Sequence, residues 1–224
     1  MEWREFGNIE LSYNYLKKVI ESVNFKKNDL KILDIGTNMG SLPYLFNTKL
    51  NIYMEGVDVE EDAIECGKNK YKEIEEKLFV VNNDLDSIES NRYDVVTMFD
   101  VIEHIPNIEP YLKDNIMRIL KPGGIFVFQT PNARINPVFE TIQSKSFTRW
   151  KKWHCSLQTP KSLKELLINA GFKDIIIEKY RIDSEYNRKK LHKICGPLSS
   201  ILISIFQNMP MCIYPNLWGY ARKM

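Results

Sequence analysis

Cysteine is scarce and dispersed in this chain. Cys66, Cys155, Cys195 and Cys212 form no C-x-x-C pair, which excludes a disulfide framework or a zinc-ribbon pattern and suits reduced thiols. A long hydrophobic run is also missing: the longest, near Leu198–Phe206, falls far short of the ~20 residues that cross a bilayer. The opening Met1-Glu2-Trp3-Arg4-Glu5 lacks the apolar stretch of a secretory leader, so the expectation is a cytoplasmic protein without a transmembrane segment. Glycine and proline, ten of each in 224 residues, show no fibrous or low-complexity excess, and no internal repeat is found. At 44% hydrophobic and 27% charged, the chain is too apolar for disorder and long enough for one domain with a large core. Net charge is nearly absent at +2, but that figure hides a split. Residues 1–142 carry 16 Lys/Arg against 24 Asp/Glu, and residues 143–224 carry 15 against 5, giving −8 and +10. Parts of opposite sign predict two kinds of surface, the basic one facing an anionic partner.

From Lys31 the sequence alternates short apolar runs with helical stretches, the pattern of a parallel sheet flanked by helices. Strands are predicted at Lys31–Ile35, Ile52–Asp58, Leu78–Val81, Tyr93–Phe99 and Gly124–Gln129. Helices are predicted at Ser41–Phe46, Glu60–Tyr71 and Ile108–Leu120, the last stopped by Lys121-Pro122-Gly123-Gly124. A later helix starts at Thr159-Pro160 with Thr159 as its cap, ends at Gly171, and precedes a strand over Phe172–Lys179. Leu11–Val23 reads as an amphipathic leading helix.

The first strand runs into Asp34-Ile35-Gly36-Thr37-Asn38-Met39-Gly40-Ser41, a glycine-punctuated turn that lets backbone approach a ligand at a helix N-terminus. Asp58 closes the second strand, 22 residues after Gly36, where a carboxylate accepts ribose hydroxyls. Asn83-Asp84 places another acid at the end of the third. Asp34, Asp58 and Asp84 at successive strand ends together predict a nucleoside site. A nicotinamide dinucleotide fits poorly, because its fingerprint wants glycine where Asn38 and Ser41 stand.

The spacing, together with Gly56-Val57-Asp58, Tyr93-Asp94-Val95-Val96, Ile119-Leu120-Lys121-Pro122-Gly123-Gly124 and Ala170-Gly171-Phe172, resembles the class I S-adenosylmethionine-dependent methyltransferases. The pattern is broken at Asn38, where that family usually has glycine. Asparagine tolerates left-handed backbone angles. The resemblance implies a Rossmann-like, doubly wound α/β sheet of seven mostly parallel strands, the last antiparallel and supplied by Leu217–Lys223. It implies S-adenosylmethionine as cofactor. Asp34, Gly36, Asn38 and Gly40 would lie at its methionine part, Asp58 and Val59 at the ribose, Asp84 and the backbone of Leu85 at the adenine, with Phe99 beside the site. It divides one domain, 1–224, into a helical cap (1–29), a cofactor-binding core (30–130), an insert (131–158) and a C-terminal part (159–224).

After the fourth strand, Asp100-Val101-Ile102-Glu103-His104 resembles the acid-x-x-Glu-His run of the ubiquinone-biosynthesis O-methyltransferases and of the RNA 2′-O-methyltransferases, with Asp100 where those groups usually have Glu. In a helical turn Asp100, Glu103 and His104 share a face. Two readings stand. The three residues position and deprotonate an acceptor hydroxyl, histidine titrating near neutrality; or, with His154, they hold a divalent metal such as Mg, Mn or Zn. A purely structural role for the run is the third.

The insert carries Lys145-Ser146-Phe147-Thr148-Arg149-Trp150-Lys151-Lys152-Trp153-His154, basic residues interleaved with aromatics, readable as a packed-down lid or as a surface gripping an anionic ring. The tail sets Arg188–Lys193 beside the apolar Pro197–Ile213, readable as core, as a dimer contact, or as a peripheral membrane segment over 188–213. The reading is an O-methyltransferase of a small-molecule acceptor, such as a quinone precursor, sugar or lipid-linked intermediate, anionic or lipid-like in character. The rivals are an RNA 2′-O-methyltransferase and a catalytically silent cofactor-binding interaction protein.

Overall fold

The apolar runs form strands β1 (Lys31–Ile35), β2 (Tyr53–Asp58), β3 (Leu78–Val80), β4 (Tyr93–Phe99) and β5 (Leu120–Pro131) in the computed structural model, which describes residues 9–25, 29–144, 146 and 148–224. These five run parallel. They read as near-continuous hydrophobic segments because a parallel sheet is covered on both faces. β6 (Lys173–Glu178) and β7 (Asn216–Arg222) complete a seven-stranded sheet in the order β3-β2-β1-β4-β5-β7-β6, with β7 antiparallel to both its neighbours. The order reverses between β1 and β4, the place where such sheets open a crevice at their carboxyl ends.

Alternate side chains of each strand serve opposite faces. Ile32, Met54, Val95 and Val127 pack under α1 (Ile9–Val23) and α2 (Ser41–Lys49), with Leu11, Tyr15, Leu16 and Phe46. α3 (Glu61–Lys70) follows β2, and α6 (Asn136–Ser144) lies in the insert. Leu33, Val96, Phe126 and Phe128 pack on the other face, under α7 (Pro160–Asn169) and the segment from α4 (Ile108–Tyr111) to α5 (Met117–Ile119). Each such side chain taken from water contributes about 1.5–3 kcal/mol, so the two covered faces hold the fold together. The Tyr15 ring of α1 meets Tyr180 and Trp218 at centroid distances of 4.8 and 4.9 Å, fixing α1 over β7.

Three segments differ from their sequence patterns. The stretch predicted as one helix over 108–120 is α4, a π-turn at Leu112–Ile116 and α5. β5 then begins at Leu120, which pairs with Tyr93, before Lys121–Gly124 loops outward and the ladder resumes at Val95 and Ile125. Gly123, at φ 77°, permits that excursion, and the Lys121 ammonium anchors it on Asp94 at 2.8 Å. The third strand ends at Val80, so Asp84 lies in the turn beyond it. The apolar tail, expected most simply as core, forms α8 (Glu185–Cys195) and α9 (Ser199–Asn208), and of α9 only Ile203 is buried. Lys145 and Phe147 of the insert fall outside the described residues.

The start of α7 is legible to the atom. Thr159 Oγ1 accepts from Ser162 N at 3.1 Å while Ser162 Oγ accepts from Thr159 N at 2.9 Å, and Pro160 occupies the first helical position. Thr159→Ala is expected to cost about 1 kcal/mol of stability, read as a lower urea midpoint with an unchanged slope.

Candidate functional site

A cavity of about 1050 Å³ opens over the carboxyl ends of β1 and β4. Its first wall is the turn after β1. Gly36 N and Thr37 N both donate to Val57 O, at 2.9 and 3.1 Å, and Asn38 N donates to Asp58 Oδ2 at 2.7 Å. Asp58 Oδ1 accepts from Glu60 N at 3.1 Å, so the carboxylate is clamped by backbone on both sides. Gly36 has φ 73°, and a side chain there would collide with Val101. Asn38 holds φ 54°, the left-handed angle that asparagine tolerates in place of glycine.

One buried side-chain oxygen on this turn, Asn38 Oδ1, lacks a hydrogen-bond partner within the protein, while the Thr37 side chain faces the Asp34 carboxyl. Buried polar groups are normally paired, so an orphaned oxygen beside a cavity suits a ligand that donates to it. Asp34, behind the turn, accepts from Thr97 Oγ1 at 2.5 Å, and burial pushes its carboxyl up to about 7. A buried acid held part-neutral is poised to meet a cationic group.

Val59, Asp84, Leu85 and Phe99 line the same cavity with Asp34, Gly36, Asn38 and Asp58. Asp84 is exposed beside Tyr111, whose hydroxyl is pushed up by burial and by that carboxylate. Leu85 adopts φ 52° and donates its N–H to Asn82 O at 3.2 Å, closing its own turn. Gly40 departs from expectation. It does not line the cavity; it precedes α2 at φ 77°, with space for a side chain taken by Leu78.

At the far end lie Asp100, Glu103, His104 and His154. Glu103 is buried, accepts from Thr130 Oγ1 at 3.0 Å, and is pushed up to about 8 by burial and by the Asp100 charge. Its backbone carbonyl accepts from Cys155 N and Ser156 N at 2.9 and 3.0 Å, which straps the insert across the site. His104 Nδ1 donates to Trp153 O at 2.6 Å, so its Nε2, 3.8 Å from Glu103 Oε1, carries the lone pair. His154 Nδ1 is held by Asn136 Oδ1 at 3.0 Å, and the two imidazoles meet at a centroid distance of 5.1 Å. Burial and the neighbouring His104 lower the His154 imidazole. Ligand atoms of Glu103, His104 and His154 lie within 4.8 Å of one another.

Asp100 interacts electrostatically with Glu103 and His104 but is not one of the three clustered ligands, against the expectation of a shared helical face. It has φ 54° and precedes a 3-10 turn over Ile102–His104, so the helical spacing argument fails. Its N–H donates to Gln129 O at 3.1 Å and its Oδ1 accepts from Gln129 Nε2 at 2.8 Å, which draws the side chain to β5. Solvent reaches Asp100 through the cavity, yet protein encloses it and raises its carboxyl above the usual range. Sequence reasoning missed Gln129, Tyr111, Trp218 and Lys190, which also line the cavity. Gln129 was findable, since it closes β5 on the edge that carries the acids. Trp218 was not, because its place depends on β7 returning between β5 and β6.

Comparison with known proteins identifies the family and the fold. The family described as "Methyltransferase domain" matches residues 9–176. The ubiquinone biosynthesis O-methyltransferase of Coxiella burnetii is 26% identical over 129 residues, 57% of this chain and 53% of that protein. The chain thus spans about half the length of that relative. The demethylmenaquinone methyltransferase of Staphylococcus epidermidis is 27% identical over 186 residues, 73% of this chain and 76% of the relative. Among solved structures, a SAM-dependent methyltransferase from Archaeoglobus fulgidus superposes with TM-score 0.64 at 20% identity, covering 97% of this chain and 95% of that one. Phosphoethanolamine N-methyltransferase 2 of Haemonchus contortus, in complex with S-adenosyl-L-methionine, gives 0.67 at 18% over 94% and 52%. At such identities the structures speak for the fold alone. With three quarters of its length matched by the family, the chain belongs to the methyltransferase-domain family.

Proposed function

We propose that the protein transfers a methyl group from S-adenosylmethionine to a hydroxyl oxygen of a small, partly apolar acceptor. The observation that carries this reading is one continuous cavity joining the orphaned, acid-lined turn at Asn38 and Asp58 to the Glu103–His104–His154 end. The cofactor fits the turn by its chemistry. Its ammonium suits Asp34, its ribose hydroxyls the remaining lone pairs of Asp58, its adenine amino group Asp84, and its hydrogen-bond donors the unpaired Asn38 Oδ1. When bound, it supplies a methyl on a sulfonium, whose sulfur–carbon bond breaks as the oxygen–carbon bond forms.

The chain's own residues then align and deprotonate. His104 Nε2, bearing the lone pair, takes the hydroxyl proton, and the Trp153 carbonyl on Nδ1 steadies the imidazolium so formed. Glu103, held near-neutral by burial, keeps a second charge away from the reacting oxygen and orients His104. Phe139, Tyr186, Phe206 and Trp218 line the cavity and offer rings to a planar or apolar acceptor, while Lys190 supplies a cation for an acidic one. The name of the ubiquinone relative supports oxygen as the methylated atom, and both quinone names support a small molecule over RNA.

A second reading is favoured by the two capped imidazoles. With each Nδ1 occupied by an oxygen acceptor, the remaining nitrogens and Glu103 form a two-nitrogen, one-carboxylate donor set with its outer hydrogen bonds made. Glu103, His104 and His154 would hold a divalent cation, which would lower the pKa of a bound acceptor hydroxyl.

Three outcomes are expected. Asp58→Ala weakens S-adenosylhomocysteine binding about 10- to 100-fold by calorimetry, from loss of charge-assisted hydrogen bonds; unchanged affinity removes the cofactor assignment. Because the folded Asp34 carboxyl sits near 7, above its ordinary 3.8, the folded state binds the extra proton, and stability falls as pH rises from about 4 to about 7. Asp34→Asn flattens that slope in thermal melts, and so does saturating S-adenosylmethionine. His104→Ala lowers kcat about 10²- to 10⁴-fold. Chelation decides the metal: activity indifferent to a chelator, yet abolished by His104→Ala, leaves the proton-acceptor reading alone.

A further inference from the structure

We propose that the α8–α9 hairpin docks on an anionic lipid bilayer, placing one wall of the cavity against the membrane surface. α9 carries apolar residues on two sides, separated by Ser199, Ser200, Ser204, Gln207 and Asn208. Its inner side is accounted for: Ile203 is buried, Phe206 meets Phe139 edge-on at 5.3 Å, and Gln207 Oε1 accepts from Ile182 N at 2.8 Å. Its outer side is not. Leu198, Ile201 and Ile205, spaced by three and four residues into one stripe, are 59%, 57% and 50% exposed.

The charge around that stripe identifies the occupant. From Tyr186 to Met224 the sequence contains no Asp or Glu, and α8 alone carries Arg188, Lys189, Lys190 and Lys193. Arg188 and Lys189 are paired with Asp183 and Glu185. Lys193 is exposed with no ion-pair partner among the described residues, while Lys190, also exposed, lines the cavity within electrostatic reach of Asp100. A second copy of the chain would seat cation on cation, since a two-fold interface repeats the same patch. An apolar helical stripe on a helix packed against the cationic α8 matches the boundary between acyl chains and anionic headgroups. Among the described residues no helix is long and apolar enough to cross a membrane, so the contact is with the surface. Phe206, on the inner side of α9, and Lys190 and Leu191 of α8 line the cavity, so docking would bring a lipid-borne molecule to the acceptor end.

The test is co-sedimentation of the full chain with vesicles of phosphatidylcholine containing phosphatidylglycerol, against vesicles of phosphatidylcholine alone. Binding to the anionic vesicles is expected, weakened by salt. The triple variant Leu198→Ser, Ile201→Ser, Ile205→Ser should lose at least about tenfold in vesicle affinity with its melting temperature unchanged, because all three are exposed. Lys193→Glu should reduce the preference for anionic vesicles. Equal binding to both vesicle types, or a triple variant that binds as the parent does, overturns the proposal. So does self-association in the parent that the triple variant abolishes without any vesicle binding, which assigns the stripe to a second copy. The readout involves no methyl transfer, so its failure is distinct from failure of the proposed function.

Discussion

The site depends on one stitch, the seam between the turn after β1 and the carboxyl end of β2. Gly36, Thr37 and Asn38 give three successive amides to Val57 O and the Asp58 carboxylate. A carboxylate accepting backbone N–H groups makes charge-assisted bonds, about twice as strong as neutral ones. That seam fixes left-handed backbone at Gly36 and Asn38, and it leaves Asn38 Oδ1 buried without a protein partner. That desolvation is a local cost that a bound ligand would offset.

A second seam governs the opposite end. Glu103 is joined through its side chain to Thr130 on β5 and through its carbonyl to Cys155 and Ser156 of the insert. The insert's own ends are closed by Ala133 N donating to Gln158 O at 2.8 Å, so the segment is a loop anchored at three points. Trp153 is 68% exposed, its side chain turned to solvent, and it contributes its carbonyl to His104. Two of the chain's three histidines thereby face one buried glutamate with their tautomers set by carbonyl oxygens. That arrangement serves proton transfer and cation binding alike, which is why chelation separates the two readings.

What was legible in the sequence was local. The β1 turn, the acid closing β2, and the Thr159 cap each announce themselves within a few residues, because the chemistry that fixes them is between neighbours. Asn38 substitutes for glycine at the angle expected of it. Spacing misled where the backbone left its regular path. Asp100 turns left-handed and swings toward Gln129, so i, i+3, i+4 geometry never applies to it. Gly40 is required by φ and by Leu78, two reasons unrelated to a ligand. The wall formed by Trp218, Tyr186 and Phe206 was hidden because it depends on β7 inserting between β5 and β6 and on the hairpin before it. Composition did signal the acidic and basic parts: the acids line the nucleoside end, and much of the basic excess lies on α8 and the insert.

The most direct measurement of the central claim is a structure of the protein with S-adenosylhomocysteine bound. The account predicts ribose hydroxyls on Asp58, the ligand's sulfur pointing along the cavity toward Glu103 and His104, and a hydrogen-bond partner for Asn38 Oδ1. A ligand seated elsewhere, or a sulfur turned away from the Glu103–His104 end, would contradict it.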